Sequence, residues 1–131
     1  LSSSSAASDV YKRQGQQWIH ADMRSLALDQ DFAGILAWNS LFHLSPDDQR
    51  AMFAVFERHA GPGCALMFTS GPEAGEAIGE FEGQDLYHAS LSPGEYCTLL
   101  DTHGFEVVQH ISEDPDCCGF TVWLARAIDW G

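Results

Sequence analysis

Short apolar runs alternate with stretches of helical period along most of this chain, and their order predicts an α/β layer architecture. Phe32 to Trp38 is apolar at nearly every position, the pattern of a strand buried on both faces of a parallel sheet. Ser45-Pro46-Asp47-Asp48 then reads as a helix start, with a serine cap, proline at the first helical position and an acid three residues after the cap. Met52, Phe53, Phe56 and Ala60 follow at helical spacing, and Gly61-Pro62 is expected to end the helix. Cys64 to Thr69 is another buried strand, so strand, helix and strand together predict a βαβ crossover.

Further along, the Gly- and Glu-rich stretch from Gly71 to Gly83 shows no period and reads as variable connecting chain. A second cap at Ser92-Pro93-Gly94-Glu95 opens a helix with Tyr96, Leu99, Leu100 and His103 on one side, closed by Gly104. Phe105 to Ile111 and Phe120 to Arg126 are the last two strands. The connection between them, Ser112 to Gly119, is too short for a parallel crossover and predicts an antiparallel hairpin. Trp18 to Ala21, ending at Asp22, is a short strand candidate upstream. Residues 1–14 are Ser/Ala-rich and aperiodic; the piece SAASDVYKRQ resembles translated sequencing-adapter sequence, with a natural polar tail the alternative.

Composition narrows the function. The 131 residues suit one domain, and 45% hydrophobic content supplies a core. A formal net charge of -13, with Lys12 the only lysine, leaves no basic surface to neutralise phosphates, which argues against nucleic-acid binding and against anionic membranes. No apolar run approaches the roughly 20 residues that span a bilayer, and a cytoplasmic location is the expectation. Cys64, Cys97, Cys117 and Cys118 show no CxxC spacing. They read as reduced structural thiols; a zinc site at Cys117 and Cys118 with a nearby histidine lacks the usual ligand spacing, so no metal is expected.

In an open α/β sheet ligands sit outside the carboxyl ends of the strands. Those ends carry Asp22 and Met23, then Trp38, Asn39, Phe42 and His43, then Ser70. A carboxylate there accepts from an exocyclic amine, a backbone N–H serves a ring nitrogen, and an aromatic face attracts a sulfonium. The segments ADMRSL and FAGILAWNSLFHLSPDDQ, in that order, resemble the middle of class I S-adenosylmethionine-dependent methyltransferases. The likeness covers roughly Gln16 to Ala127 and rests on the order and spacing of the segments.

What the resemblance implies is a three-layer Rossmann-like sheet, mostly parallel with a C-terminal antiparallel hairpin, and methyl transfer from S-adenosylmethionine to a small-molecule acceptor. It places Asp22 and Met23 at the adenine, Trp38 and Asn39 at the methionine moiety, Phe42 and His43 on the pocket wall, and Tyr87 and His88 on a substrate-facing loop. His43 is the candidate base for an acceptor that must lose a proton. Each position has a plainer alternative: Asp22 as a turn residue, Met23 and Phe42 as core, His43 as a satisfied structural histidine, Tyr87 and His88 as a surface turn. Glu73, Glu76, Glu80 and Glu82 read as solvated charge or, alternatively, as an attraction for a cationic amine.

The family's glycine-rich loop after the first strand and the acid ending the second strand have no counterpart here. Residues 15–131 are therefore expected to be a partial domain lacking its N-terminal strands, with roughly 60 to 80 further residues needed upstream. A non-catalytic Rossmann-like interaction module is the competing reading. A nucleotide-dependent oxidoreductase is disfavoured because no G-x-G-x-x-G follows a strand.

Overall fold

The computed structural model describes residues 19–128; the tail of residues 1–14 and Trp18 lie outside the described residues. Both predicted helices form where their caps place them. Helix α1 spans Pro46–His59, and the Ser45 hydroxyl accepts from the Asp48 N–H, satisfying one of the open donors of the first turn. Helix α2 spans Pro93–Thr102 with Ser92 capping Glu95 in the same way. Gly104, at φ 82, turns the chain out of α2 in the left-handed region that glycine adopts without strain.

Strands β1 (Phe32–Ala37), β2 (Ala60–Ser70), β5 (Phe105–Asp114) and β6 (Phe120–Ala127) make a four-stranded sheet of order β1-β2-β6-β5. β1 and β2 are parallel and joined through α1, while β6 runs antiparallel to both β2 and β5. Three of the four strands thus share one direction, and the reversed strand belongs to the terminal hairpin, as the sequence predicts.

Three elements differ from the sequence reading. Ile19 to Asp22 is not a strand, and a single 3-10 turn follows at Met23–Ser25. β2 begins at Ala60, so Gly61-Pro62 lies inside it; the ladder to β1 is irregular there and pairing with β6 begins only at Ala65, so Pro62 is asked for no N–H. The Gly/Glu-rich stretch forms a separate antiparallel ribbon, β3 (Gly75–Phe81) with β4 (Gln84–Ser90). Its two-residue turn, Glu82-Gly83, has both φ values positive, at 52° and 80°, the geometry that matches strand twist in a tight hairpin.

The core lies on one face of the four-stranded sheet. Leu66 and Phe68 of β2 stand opposite Ala125 and Trp123 of β6, and all four are at most 1% exposed. Phe53 of α1 and Tyr96 of α2 both pack on Phe68, and Tyr96 also meets Trp123. Both helices therefore cover the same face. Ile35 and Ala37 of β1 join this core, but Leu36, one position out of phase, is 66% exposed. β1 is covered on one face, not two, because both described helices pack on the face that carries Ile35 and Ala37.

Candidate functional site

One cavity runs along the free edge of β1, from Phe32 to Asn39, and a second opens at the carboxyl end of β2. The first, of about 610 Å³, has walls from Ala21, Met23, the whole of β1's open end, Trp38, Asn39 and the α1 residues Met52, Phe56 and His59. The segment forming its outer wall is lashed along α1 at three points. Arg24 bridges Asp22 and Asp48, Arg58 donates to the Leu26 carbonyl at 3.1 Å, and the Leu28 N–H donates to His59 Nε2 at 3.0 Å. His59 Nδ1 lies 2.8 Å from the Val55 carbonyl, which can only accept, so Nδ1 carries the proton and Nε2 is free to accept from Leu28. His59 is thus a fully satisfied structural histidine.

Of the cofactor residues named from sequence, Met23, Trp38 and Asn39 come together in this cavity. Asp22 stands beside it, but its carboxylate is taken up by Arg24, accepting the Arg24 N–H at 3.0 Å and the guanidinium at 2.7 Å. Those hydrogen bonds hold the Asp22 carboxyl at a pKa of about 2, below the ordinary 3.8. Asp22 therefore caps the 3-10 turn, the plainer of its two readings, while half its surface stays open to solvent.

Asn39 carries the strongest chemical signal. Its backbone sits at φ 50, in the left-handed region where Asn is one of the few tolerated residues, and its N–H donates to Thr69 Oγ1 at 2.8 Å. That geometry buries Oδ1, which finds no hydrogen-bond partner among the described residues. Leaving a buried acceptor unpaired costs about 1–3 kcal/mol, and Oδ1 is the only such side-chain atom found among the described residues.

The second cavity, of about 430 Å³, lies beneath the β3–β4 ribbon. Phe42, His88, Phe120, Ser90 and three carboxyl side chains, Glu73, Glu76 and Glu113, line it, and no lysine or arginine does. Trp38 meets the Phe120 ring edge-on at 6.3 Å, and Phe42 stacks on the other side of Phe120 at 6.3 Å. An aromatic wall thus runs from the first cavity to the second.

His88 lines the second cavity, and His43, which lines neither, meets the His88 ring behind this wall. Their ring centroids are 4.8 Å apart, and Phe42 packs against both. His43 Nδ1 faces the Tyr87 carbonyl at 3.0 Å and His88 Nδ1 faces the Leu86 carbonyl at 3.1 Å. Each carbonyl fixes the proton on Nδ1, which leaves both Nε2 atoms with a lone pair when the rings are neutral. Tyr87 contributes its carbonyl to this arrangement, whereas its phenol is held by desolvation and the nearby Glu76 above its ordinary pKa, outside the lining of the cavity.

Sequence reasoning missed Phe120, Glu113 and His59. The first two sit on the hairpin's far strands and reach the site only through the β2–β6–β5 pairing. Among the described residues no group of three or more His, Cys, Asp or Glu side chains is arranged to hold a metal ion, and no helix is long and apolar enough to cross a membrane.

The sequence matches no protein-family model and no curated protein. Its structure is similar to several solved methyltransferases. One is the 1,6-didemethyltoxoflavin-N1-methyltransferase of Burkholderia thailandensis, solved with 1,6-didemethyltoxoflavin and S-adenosylhomocysteine, at 19% identity and a TM-score of 0.70 over 94% of this chain. A second is an amino pentose methyltransferase of calicheamicin biosynthesis from Micromonospora echinaspora, solved with S-adenosylmethionine, at 15% identity and a TM-score of 0.73 over 97% of the chain. A third is an S-adenosylmethionine-dependent methyltransferase from Clostridium acetobutylicum, at 11% identity and a TM-score of 0.72 over 98% of the chain. The chain spans 56% of the first of these proteins, 71% of the second and 73% of the third. The fold is therefore that of the S-adenosylmethionine-dependent methyltransferases.

Proposed function

We propose that this chain is part of an enzyme that transfers a methyl group from S-adenosylmethionine to a small molecule, with the cofactor in the first cavity and the acceptor in the second. The observation that carries the reading is Asn39 Oδ1, a buried acceptor without a donor at the carboxyl end of β1, in a chain whose fold matches methyltransferases. The ammonium at the amino-acid end of the cofactor is a donor of the kind this oxygen lacks. Met23 and the apolar end of β1 suit a flat purine, and Asp22 retains exposed carboxylate surface for an exocyclic amine. When bound, the cofactor supplies an electrophilic methyl group on a sulfonium, a cation that the Trp38 face favours.

The protein's own work is then positioning and proton handling. Phe42 and Phe120 exclude water from one side of the acceptor, which matters most in an in-line displacement. His43 Nε2 accepts the proton that an N–H or O–H acceptor releases, and the Nδ1–H bond to the Tyr87 carbonyl steadies the imidazolium so formed. His88, on the cavity wall, contacts the acceptor, and Tyr87 acts through its carbonyl. The three glutamates and the absence of a lining cation favour an acceptor that carries an amine. Two of the similar structures are described as a 1,6-didemethyltoxoflavin-N1-methyltransferase and an amino pentose methyltransferase, chemistry compatible with such a cavity.

The test is transfer of a labelled methyl group from S-adenosylmethionine to a panel of small amines and alcohols by the chain joined to the upstream sequence of its gene. His43→Ala should lower turnover of a proton-losing acceptor by about 10²-fold or more. An undiminished rate would remove His43 from the chemistry.

A further inference from the structure

One buried polar side chain ties together the two segments that bear His43 and His88. Gln49 of α1 is fully buried, and its amide nitrogen donates to the Leu44 carbonyl at 3.0 Å and to the Ala89 carbonyl at 2.8 Å. Those carbonyls belong to the residues immediately after His43 and His88. The Gln49 Oε1 in turn accepts from the Tyr96 hydroxyl at 2.6 Å, and that hydroxyl accepts from the Leu91 N–H at 3.1 Å. α1, α2, the turn carrying His43 and the end of β4 thus meet in one chain of hydrogen bonds with both amide donors used. A buried amide must find partners for its donors and acceptor, here three, which an apolar residue of the same size would not need.

We propose that Gln49, seated by Tyr96, is a positioning residue that holds the His43 and His88 segments in register. The register is what places the His43 ring against the Tyr87 carbonyl and so fixes its proton on Nδ1 and its lone pair on Nε2. Without the two amide donors, the turn and the strand are joined by the His43–Tyr87 contact and by ring packing alone. Both tautomers of His43 then become accessible. The kinetic consequence rests on the reading of His43 as a proton acceptor; the structural one does not.

The test reads the imidazole tautomers directly, by long-range ¹H–¹⁵N correlation spectra of the chain with ¹⁵N-labelled histidine, without cofactor or acceptor. The native chain should show His43 and His88 as Nδ1–H forms. Gln49→Met, of similar volume and without donors, should convert His43 from one form to a mixture of two. Leu100→Ala, a core truncation in α2 outside both cavities, should leave the tautomer unchanged. Should Gln49→Met fail to fold, Tyr96→Phe carries the test, since it removes only the hydroxyl that seats the amide. A His43 tautomer unaltered in the folded variant overturns the proposal. Failure of the protein to bind S-adenosylhomocysteine would sink the methyl-transfer reading while leaving this outcome as it stands.

Discussion

The two faces of the four-stranded sheet are chemically alike along the strands but have opposite fates. On one face Leu66, Phe68, Trp123 and Ala125 disappear beneath α1 and α2. On the other, Leu36 stands beside Met67, and Met67 opposite Leu124, in the same apolar pattern. Yet Leu36 is 66% exposed and Met67 and Leu124 are only half-buried. A strand with apolar residues on both faces suits a sheet covered on both, whereas the described helices cover one. The first cavity has the free edge of β1 as one of its walls, whereas the second lies between the β3–β4 ribbon and the β5–β6 hairpin.

Breaking the covered face should have the largest effect. Phe53 is fully buried between Phe56, Phe68 and Tyr96, and Phe53→Ala should cost about 3–5 kcal/mol in denaturant unfolding of the chain. A loss under about 1 kcal/mol would mean that the helices do not pack as described. Leu36→Ser sharpens the contrast from the other side. In this chain it should change stability by no more than about 0.5 kcal/mol, as exposed positions do. If a longer form of the protein covers this face, the same substitution there should cost about 2 kcal/mol or more. Equal effects in both would contradict the reading of that face as half of a buried layer.

The smallest effect concerns Asp22 at the rim of the first cavity. Its carboxyl is held at about 2 by the Arg24 hydrogen bonds, against 3.8 for the unfolded chain. A folded pKa that is depressed makes a stabilising contribution that is complete above about 4 and is lost as pH falls through about 2. A ¹³C titration of the carboxylate should give that low midpoint in the native chain and a return toward the ordinary value in Arg24→Ala. Coincident midpoints would show that Arg24 leaves Asp22 free.

The legible parts of the fold were those with strong local chemistry. Ser45 and Ser92, each followed by proline, announced both helices, and the short loop after β5 announced the reversed strand. The β3–β4 ribbon was not legible, because its strands are rich in Gly and Glu and its turn is Glu82-Gly83, not the Asn-Gly or Asp-Gly that signals a hairpin. The exposed face of β1 was equally hidden, since a sequence shows that a strand is apolar but not what covers it. For the site, Met23, Trp38 and Asn39 were placed by their position at strand ends and do share a cavity. Asp22 drew the Arg24 partner two residues away, which strand-end logic does not anticipate. Gln49 read as one polar residue on a helix; its role depends on Leu44, Ala89 and Tyr96, and the latter two lie 40 and 47 residues along the chain.

The measurement that bears most directly on the methyltransferase reading is calorimetric titration of S-adenosylhomocysteine into the chain joined to its upstream sequence, natively and as Asn39→Gly. Glycine keeps the left-handed backbone at this position without strain and removes the side chain, the orphan acceptor with it. Saturable binding by the native protein, weakened about tenfold in the variant with no loss of stability, is the predicted result. Absence of binding by the native protein, or identical affinity in the two, would contradict the placement of the cofactor at Asn39.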